Sequence, residues 1–126
     1  MAEFLSDAWV TNLPTAGGDA GAPGPTTSIA FEVGAGRAND VKFSVDLVDG
    51  RIAASAVGPR ADAAVLFTMT RADADALLAR EMALDVAFMR GKLKAAGDMD
   101  HVLAVLEWSA TESYQALHDA IAAATE

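Results

Sequence analysis

Phe88-Met89-Arg90-Gly91-Lys92-Leu93-Lys94-Ala95-Ala96-Gly97-Asp98-Met99 compresses a helix end, a short charged strand and the start of a second helix into one run. Leu84, Ala87, Phe88 and Gly91 fall at the three-and-four spacing of one helix face, and Gly91 can take the positive φ that ends the helix. Lys92-Leu93-Lys94-Ala95-Ala96 then alternates charged with apolar side chains, as a strand wet on one face does, until Gly97 turns the chain and Asp98 caps the next helix. Met99, Val102, Leu103 and Leu106 recur at i, i+3, i+4 and i+7, which predicts a methionine-led apolar face on the side of Phe88 and Met89. No polar group is aimed between them.

This run resembles the hallmark of the sterol carrier protein type 2 family, Ala-Phe-Met-x-Gly-Lys-Leu-Lys-x-x-Gly-Asp-Met, which here reads Ala87-Phe88-Met89-Arg90-Gly91-Lys92-Leu93-Lys94 and continues to Gly97-Asp98-Met99. The opening Phe4-Leu5-Ser6-Asp7-Ala8-Trp9 is similar to small bacterial members, and a hairpin followed by Thr70-Arg71-Ala72-Asp73 sits where the family has one. Family members usually carry a glycine and then Asp-Pro before the hallmark helix, whereas this chain reads Arg80-Glu81 and Asp85-Val86, so the helix start and the pocket mouth are expected to differ. The resemblance implies an α+β fold: a five-stranded, mostly antiparallel sheet with helices packed on one face, enclosing an apolar tunnel for a sterol, a fatty acid or a fatty acyl-CoA. By periodicity, Phe88, Met89, Leu93, Met99, Val102, Leu103 and Leu106 are expected in its wall, with Leu117 and Ile121 closing one end. Carriage needs no reactive group and no cofactor.

Composition agrees with a carrier. The chain has 126 residues, enough for one domain and too few for a core plus a separate catalytic unit. Although 52% of it is hydrophobic, no apolar run approaches the about 18 residues of a membrane span, and Met1-Ala2-Glu3 lacks the basic start of a signal peptide. A cytoplasmic protein is expected. The absence of cysteine removes disulfides, thiolate metal sites and cysteine nucleophiles, and suits a reducing compartment. Ala124-Thr125-Glu126 is unlike the Ser-Lys-Leu address of the family's peroxisomal members, so no peroxisomal destination is expected. A formal charge of −9 repels phosphate backbones and excludes nucleic acid as a partner. Arg90, Lys92 and Lys94 form one basic cluster, either guarding a sheet edge or touching lipid head groups transiently.

Ser6 reads as an N-cap, with Leu5 and Val10 stapled around it and Leu5, Trp9 and Leu13 on one face of a first helix that Pro14 is expected to end. Residues 14–27, rich in Gly, Pro, Ala and Thr, read as a mobile surface loop. Ile29, Phe31 and Val33 alternate as a half-buried strand, and Gly34-Ala35-Gly36 is a turn that lacks the third glycine and the helix of a dinucleotide fingerprint. Val41, Phe43, Val45 and Leu47 alternate up to the hairpin signal Asp49-Gly50. With Val48 facing Arg51, Leu47 pairs with Ile52, Val45 with Ala54 and Phe43 with Ala56, so the core face is expected to narrow to alanines. Ala64 to Thr70 makes a further strand, buried on both faces, and Thr70 with Asp73 caps a helix. Ser109 with Glu112 is expected to cap the last helix, striped by Tyr114, Leu117, Ile121 and Ala124, which serves either as a docked terminal helix or as a lid.

Catalytic groups are scarce. His101 and His118 lie on different predicted helices, each on a face that reads as polar, and no serine sits in a nucleophile elbow. No pair of histidines has metal-ligand spacing and no calcium-loop pattern occurs. The competing enzyme reading is a small cyclase or isomerase acting on a steroid-like or polyketide substrate, with Asp85 as base. Asp85 also reads as the N-cap of the helix that ends at Gly91. A third reading is a dimeric interaction module whose apolar surface a second subunit fills.

Overall fold

Alternation and capping carry most of the architecture of the computed structural model, which describes residues 3–34 and 40–125. The turn expected at Gly34-Ala35-Gly36 falls largely outside the described residues, as do Met1, Ala2 and Glu126. In chain order the elements are α1 (Asp7–Gly17), β1 (Thr27–Val33), β2 (Val41–Val48), β3 (Arg51–Val57), β4 (Val65–Met69), α2 (Arg71–Leu78), α3 (Leu84–Met89), β5 (Lys94–Gly97), α4 (Met99–Ser109) and α5 (Glu112–Ala123). The five strands form one sheet in the order β3-β2-β1-β4-β5. β1–β2, β2–β3 and β4–β5 are antiparallel, while β1 and β4 run parallel with Phe31 opposite Phe67. The sheet is therefore mixed, because the chain leaves edge strand β3 and returns on the far side of β1.

Pro14 does not end α1. The helix runs on to Gly17, correcting the expected boundary and placing residues 14–17 in helix rather than loop. A proline inside a helix leaves the carbonyl four residues earlier without its N–H donor. Here that carbonyl belongs to Val10, and the Ser55 hydroxyl of β3 donates to it at 2.5 Å. Ser55 reaches the helix because the β2–β3 register shifts after the turn. Leu47 faces Ile52 as expected, but Asp46 faces Ala54, Val45 faces Ser55 and Phe43 faces Val57. Ala53 is the extra residue of a bulge, which turns Ser55 toward α1 and leaves Ala54 and Ala56 exposed, in place of the alanine-lined core face expected.

The stretch after α1 is tied down by hydrogen bonds. Trp108 Nε1 donates to the Gly21 carbonyl at 2.9 Å, Gly50 N to the Pro25 carbonyl at 2.9 Å, and Gly24 N to Asp49 Oδ1 at 3.3 Å. Gly50 allows this close approach, since a Cβ there would run into the Gly21 carbonyl.

The capping residues act largely as their spacing predicts. Ser6, Thr70 and Asp98 accept from the N–H groups of Trp9, Asp73 and Asp100 at 3.1, 3.1 and 3.0 Å. Two caps differ. Thr111, not Ser109, caps α5, because Ser109 completes α4 and turns its hydroxyl back to the Leu106 carbonyl at 2.6 Å. Ala83 occupies the N-cap position of α3, so Asp85 sits inside the first turn and accepts from Val86 N at 2.9 Å. At the other end of α3, Gly91 has φ +73 and donates to the Phe88 carbonyl at 3.2 Å, while Lys92 N reaches the Ala87 carbonyl at 2.9 Å. This is the paired bonding of a left-handed helix stop. Leu93 N also goes to Ala87, at 3.1 Å, so neither Lys92 nor Leu93 has an N–H left for the sheet and β5 begins only at Lys94.

In β4, Val65, Phe67 and Met69 are buried while Leu66 and Thr68 are half-buried, so its second face is only partly covered. Phe31 stacks on Phe43 with ring centroids 4.7 Å apart, and Trp9 of α1 meets Phe43 edge-on at 5.7 Å. The core thus lies between one face of the sheet and the helices.

An apolar cavity and its polar recess

The residues of β1 and β2 that share the inward face, Ile29, Phe31, Val33, Phe43, Val45 and Leu47, form the floor of a cavity of about 180 Å³. Ile52, Phe67 and Met69 extend this floor, Trp9 and Leu13 of α1 and Leu77 and Leu78 of α2 form its sides, and Leu84 belongs to α3. Val105 and Trp108 of α4 and Tyr114, Leu117 and Ile121 of α5 complete the wall, so the sheet and every helix contribute. A continuous tunnel is not seen among the described residues.

Polar atoms on this wall are few and mostly engaged. Trp108 Nε1 is held by the Gly21 carbonyl, and His118 Nε2 donates to the Leu78 carbonyl at 2.9 Å. His118 therefore borders the cavity, a correction to its expected place on a polar face. Burial pushes the Tyr114 hydroxyl above its ordinary pKa while the Arg80 charge pulls it the other way, so the phenol is a neutral donor near neutral pH.

A second, more polar space of about 150 Å³ adjoins the first. Leu77, Leu84, Tyr114 and His118 border both, and Arg80, Ser109 and Gln115 line only the second. Arg80 donates to Gln115 Oε1 and Asp119 Oδ1, and to the Gln115 carbonyl at 3.1 Å. Arg80, singled out in the sequence ahead of the hallmark helix, thus lines the polar space and not the apolar one.

Of the nine residues expected in the wall, Leu117 and Ile121 border the cavity. Leu93, Val102 and Leu106 are buried in the core, and Phe88 is half-buried against it, without bordering either space among the described residues. Met89, Met99 and Leu103 face outward, 74%, 50% and 49% exposed. The inward row of α4 is Val102, Val105, Leu106 and Ser109, which has the same spacing as the Met99-led row. The helix is apolar at so many positions that both rows fit the pattern, and packing selects the second. The aromatic floor, Phe31, Phe43 and Phe67, was legible as the inward set of three alternating strands but carries no hallmark of its own.

Asp85 borders neither space, and His101, through Nδ1, contacts Thr27 Oγ1 at 2.7 Å away from both. Among the described residues no group of three or more His, Asp and Glu is arranged to hold a metal. No described helix is long and apolar enough to cross a membrane.

Comparison with known proteins agrees with this geometry. A solution structure from Thermus thermophilus, described as a conserved hypothetical protein and possibly a sterol carrier protein, superimposes with a TM-score of 0.78 at 19% identity, over 98% of this chain and 91% of that one. A crystal structure of sterol carrier protein 2 gives 0.73 at 21% identity, over 93% and 98% of the two chains. Palmitated SCP2L2 from Aedes aegypti gives 0.61 at 18% identity, over 81% and 88%. A search of curated protein sequences gives no match. These likenesses show a shared fold, and the model of the SCP-2 sterol transfer family matches residues 25–107, the span from β1 through most of α4. By that match the chain belongs to the SCP-2 sterol transfer family.

Proposed function

We propose that this chain binds the tail of an apolar lipid in the cavity between sheet and helices and carries it without chemical change. The observation that carries the reading is the wall itself, built of aliphatic and aromatic side chains from the sheet and all helices, with few polar atoms. Burying a tail yields about 0.8 kcal/mol per methylene, and micromolar affinity corresponds to about 8 kcal/mol. Ten or so methylenes therefore suffice before ordering costs are subtracted. The cavity as it stands, about 180 Å³, is close to the size of an engineered cavity that admits benzene, so a long tail needs further room.

α5 is a wall element whose hold on its neighbours must yield if the cavity widens on its side. It contributes Tyr114, Leu117 and Ile121 to the cavity, and the chain just beyond it is fastened to α1 where Trp9 Nε1 donates to Thr125 Oγ1 at 2.9 Å. The isomerase reading gains no support, because Asp85 lies outside the cavity. A lipid shuttled between cytoplasmic sites fits the cysteine-free, acidic composition.

Native mass spectrometry of the purified protein, with extraction and identification of bound lipid, tests this directly. The expected result is one lipid per chain and uptake of a fluorescent fatty probe. A protein that purifies empty and takes up no probe overturns the reading.

A further inference from the structure

If the cavity holds the tail of a carried lipid, as proposed above, the head of that lipid must lie where the cavity opens. α2 ends in a left-handed stop in which Glu81 N reaches the Ala76 carbonyl at 2.9 Å and Arg80 N reaches the Leu77 carbonyl at 3.2 Å. The left-handed position, φ +62, is Arg80. A side chain with a Cβ is costly there compared with glycine, so this chain holds an arginine where the backbone disfavours it. Arg80 is also the only lysine or arginine bordering either space, among the described residues. Tyr114 lines the same recess within reach of the Arg80 charge, and its hydroxyl makes no hydrogen bond among the described residues. A cation and an unused neutral donor thus line one polar recess, and Tyr114 borders the apolar cavity as well.

The cation meets both of its partners, Gln115 and Asp119, at exposed positions. Its Asp119 ion pair is solvent-exposed, 42% and 70% by side chain, and exposed pairs hold little against exchange. The recess, about 150 Å³, has room for a carboxylate. Resting on the carrier reading, we infer that Arg80 and the Tyr114 hydroxyl receive the carboxylate of a free fatty acid whose tail lies in the cavity, the ligand displacing Asp119 from Arg80. Arg80 would then set a preference for fatty acids over neutral lipids of equal length. The simpler alternative is a latch, in which Arg80 merely ties α2 to α5.

Competition of palmitate and of methyl palmitate against a neutral pyrene-labelled alkane separates the two. The native chain is expected to favour palmitate over its ester by roughly tenfold, as a charge-assisted hydrogen bond gives. Arg80→Gly, which relieves the backbone and so should fold, is expected to bring that ratio near unity. Asp119→Asn removes the competing carboxylate and is expected to raise the ratio above that of the native chain. A latch predicts that both variants move both ligands together and leave the ratio unchanged, and that result overturns the inference, as does a native ratio near unity. Failure of the native chain to take up the alkane, with no displacement by either lipid, instead removes the carrier reading and this inference with it.

Discussion

Two left-handed residues at helix ends respond oppositely to substitution. Gly91, at φ +73, has open space where a Cβ would go, so Gly91→Ala has a purely conformational cost of about 1 kcal/mol, visible as a lower melting temperature. Arg80→Gly removes the same kind of strain and gives up only exposed contacts, so its melting temperature is expected to equal or exceed the native one. Bulky insertions divide in the same way. Val102 is fully buried outside the cavity, so Val102→Trp is expected to destabilise by about 1–3 kcal/mol through overpacking. Ile121 is half-buried on the cavity wall, so Ile121→Trp is expected to weaken probe binding at least as much as it affects melting. A probe titration alongside a thermal melt of each variant checks the contrast, and a melting loss for Ile121→Trp with probe binding untouched would mean that the space around it is ordinary core.

Between elements, the contact of α1 with β3 rests on a compensation of two local irregularities. Pro14 withholds a donor from the Val10 carbonyl, and the bulge at Ala53 brings Ser55 to supply one. Ser55→Ala is expected to cost about 1–2 kcal/mol, because it strands a carbonyl that the helix itself cannot satisfy. In a Pro14→Ala background the helix regains its own N–H, and the same change should cost clearly less. Chemical denaturation of the four chains of this double-mutant cycle measures the coupling, and additive losses would show that the two irregularities are independent. The edge strand β5 is limited in another way. Its two preceding N–H groups close the end of α3, which shortens an exposed strand and leaves Lys94 exposed along it, as a guarded edge requires.

For the molecule as a whole, a ligand that binds only the folded state raises stability by mass action. With free fatty acid at about 100 times its dissociation constant the gain is about 2.7 kcal/mol, and the melting temperature of a chain this size should rise by about 10 °C. A scan with and without palmitate reads the shift, and its absence at saturating probe displacement would mean that the unfolded chain binds the fatty acid as well as the folded one does. A cavity of about 180 Å³ accepts a long tail only by widening, and on the α5 side that works against the contacts of Trp9 with Thr125 and of Arg80 with Gln115.

Sequence by itself determined the features whose causes are local: the alternating strands, the Asp49-Gly50 hairpin, the caps at Ser6, Thr70 and Asp98, the stop at Gly91, and the apolar class of ligand. Each depends on residues a few positions apart, so spacing alone carries it. Only the tertiary structure decided which row of α4 faces inward, that α1 passes through Pro14, and that Arg80 lines a polar recess. Ser55 lies 45 residues from the Val10 carbonyl it serves, and Arg80 lies 35 residues from Gln115. Partners so far apart along the chain leave no periodic trace, and the near-uniform hydrophobicity of α4 gives two faces equal claim until the sheet and α5 pack against one of them.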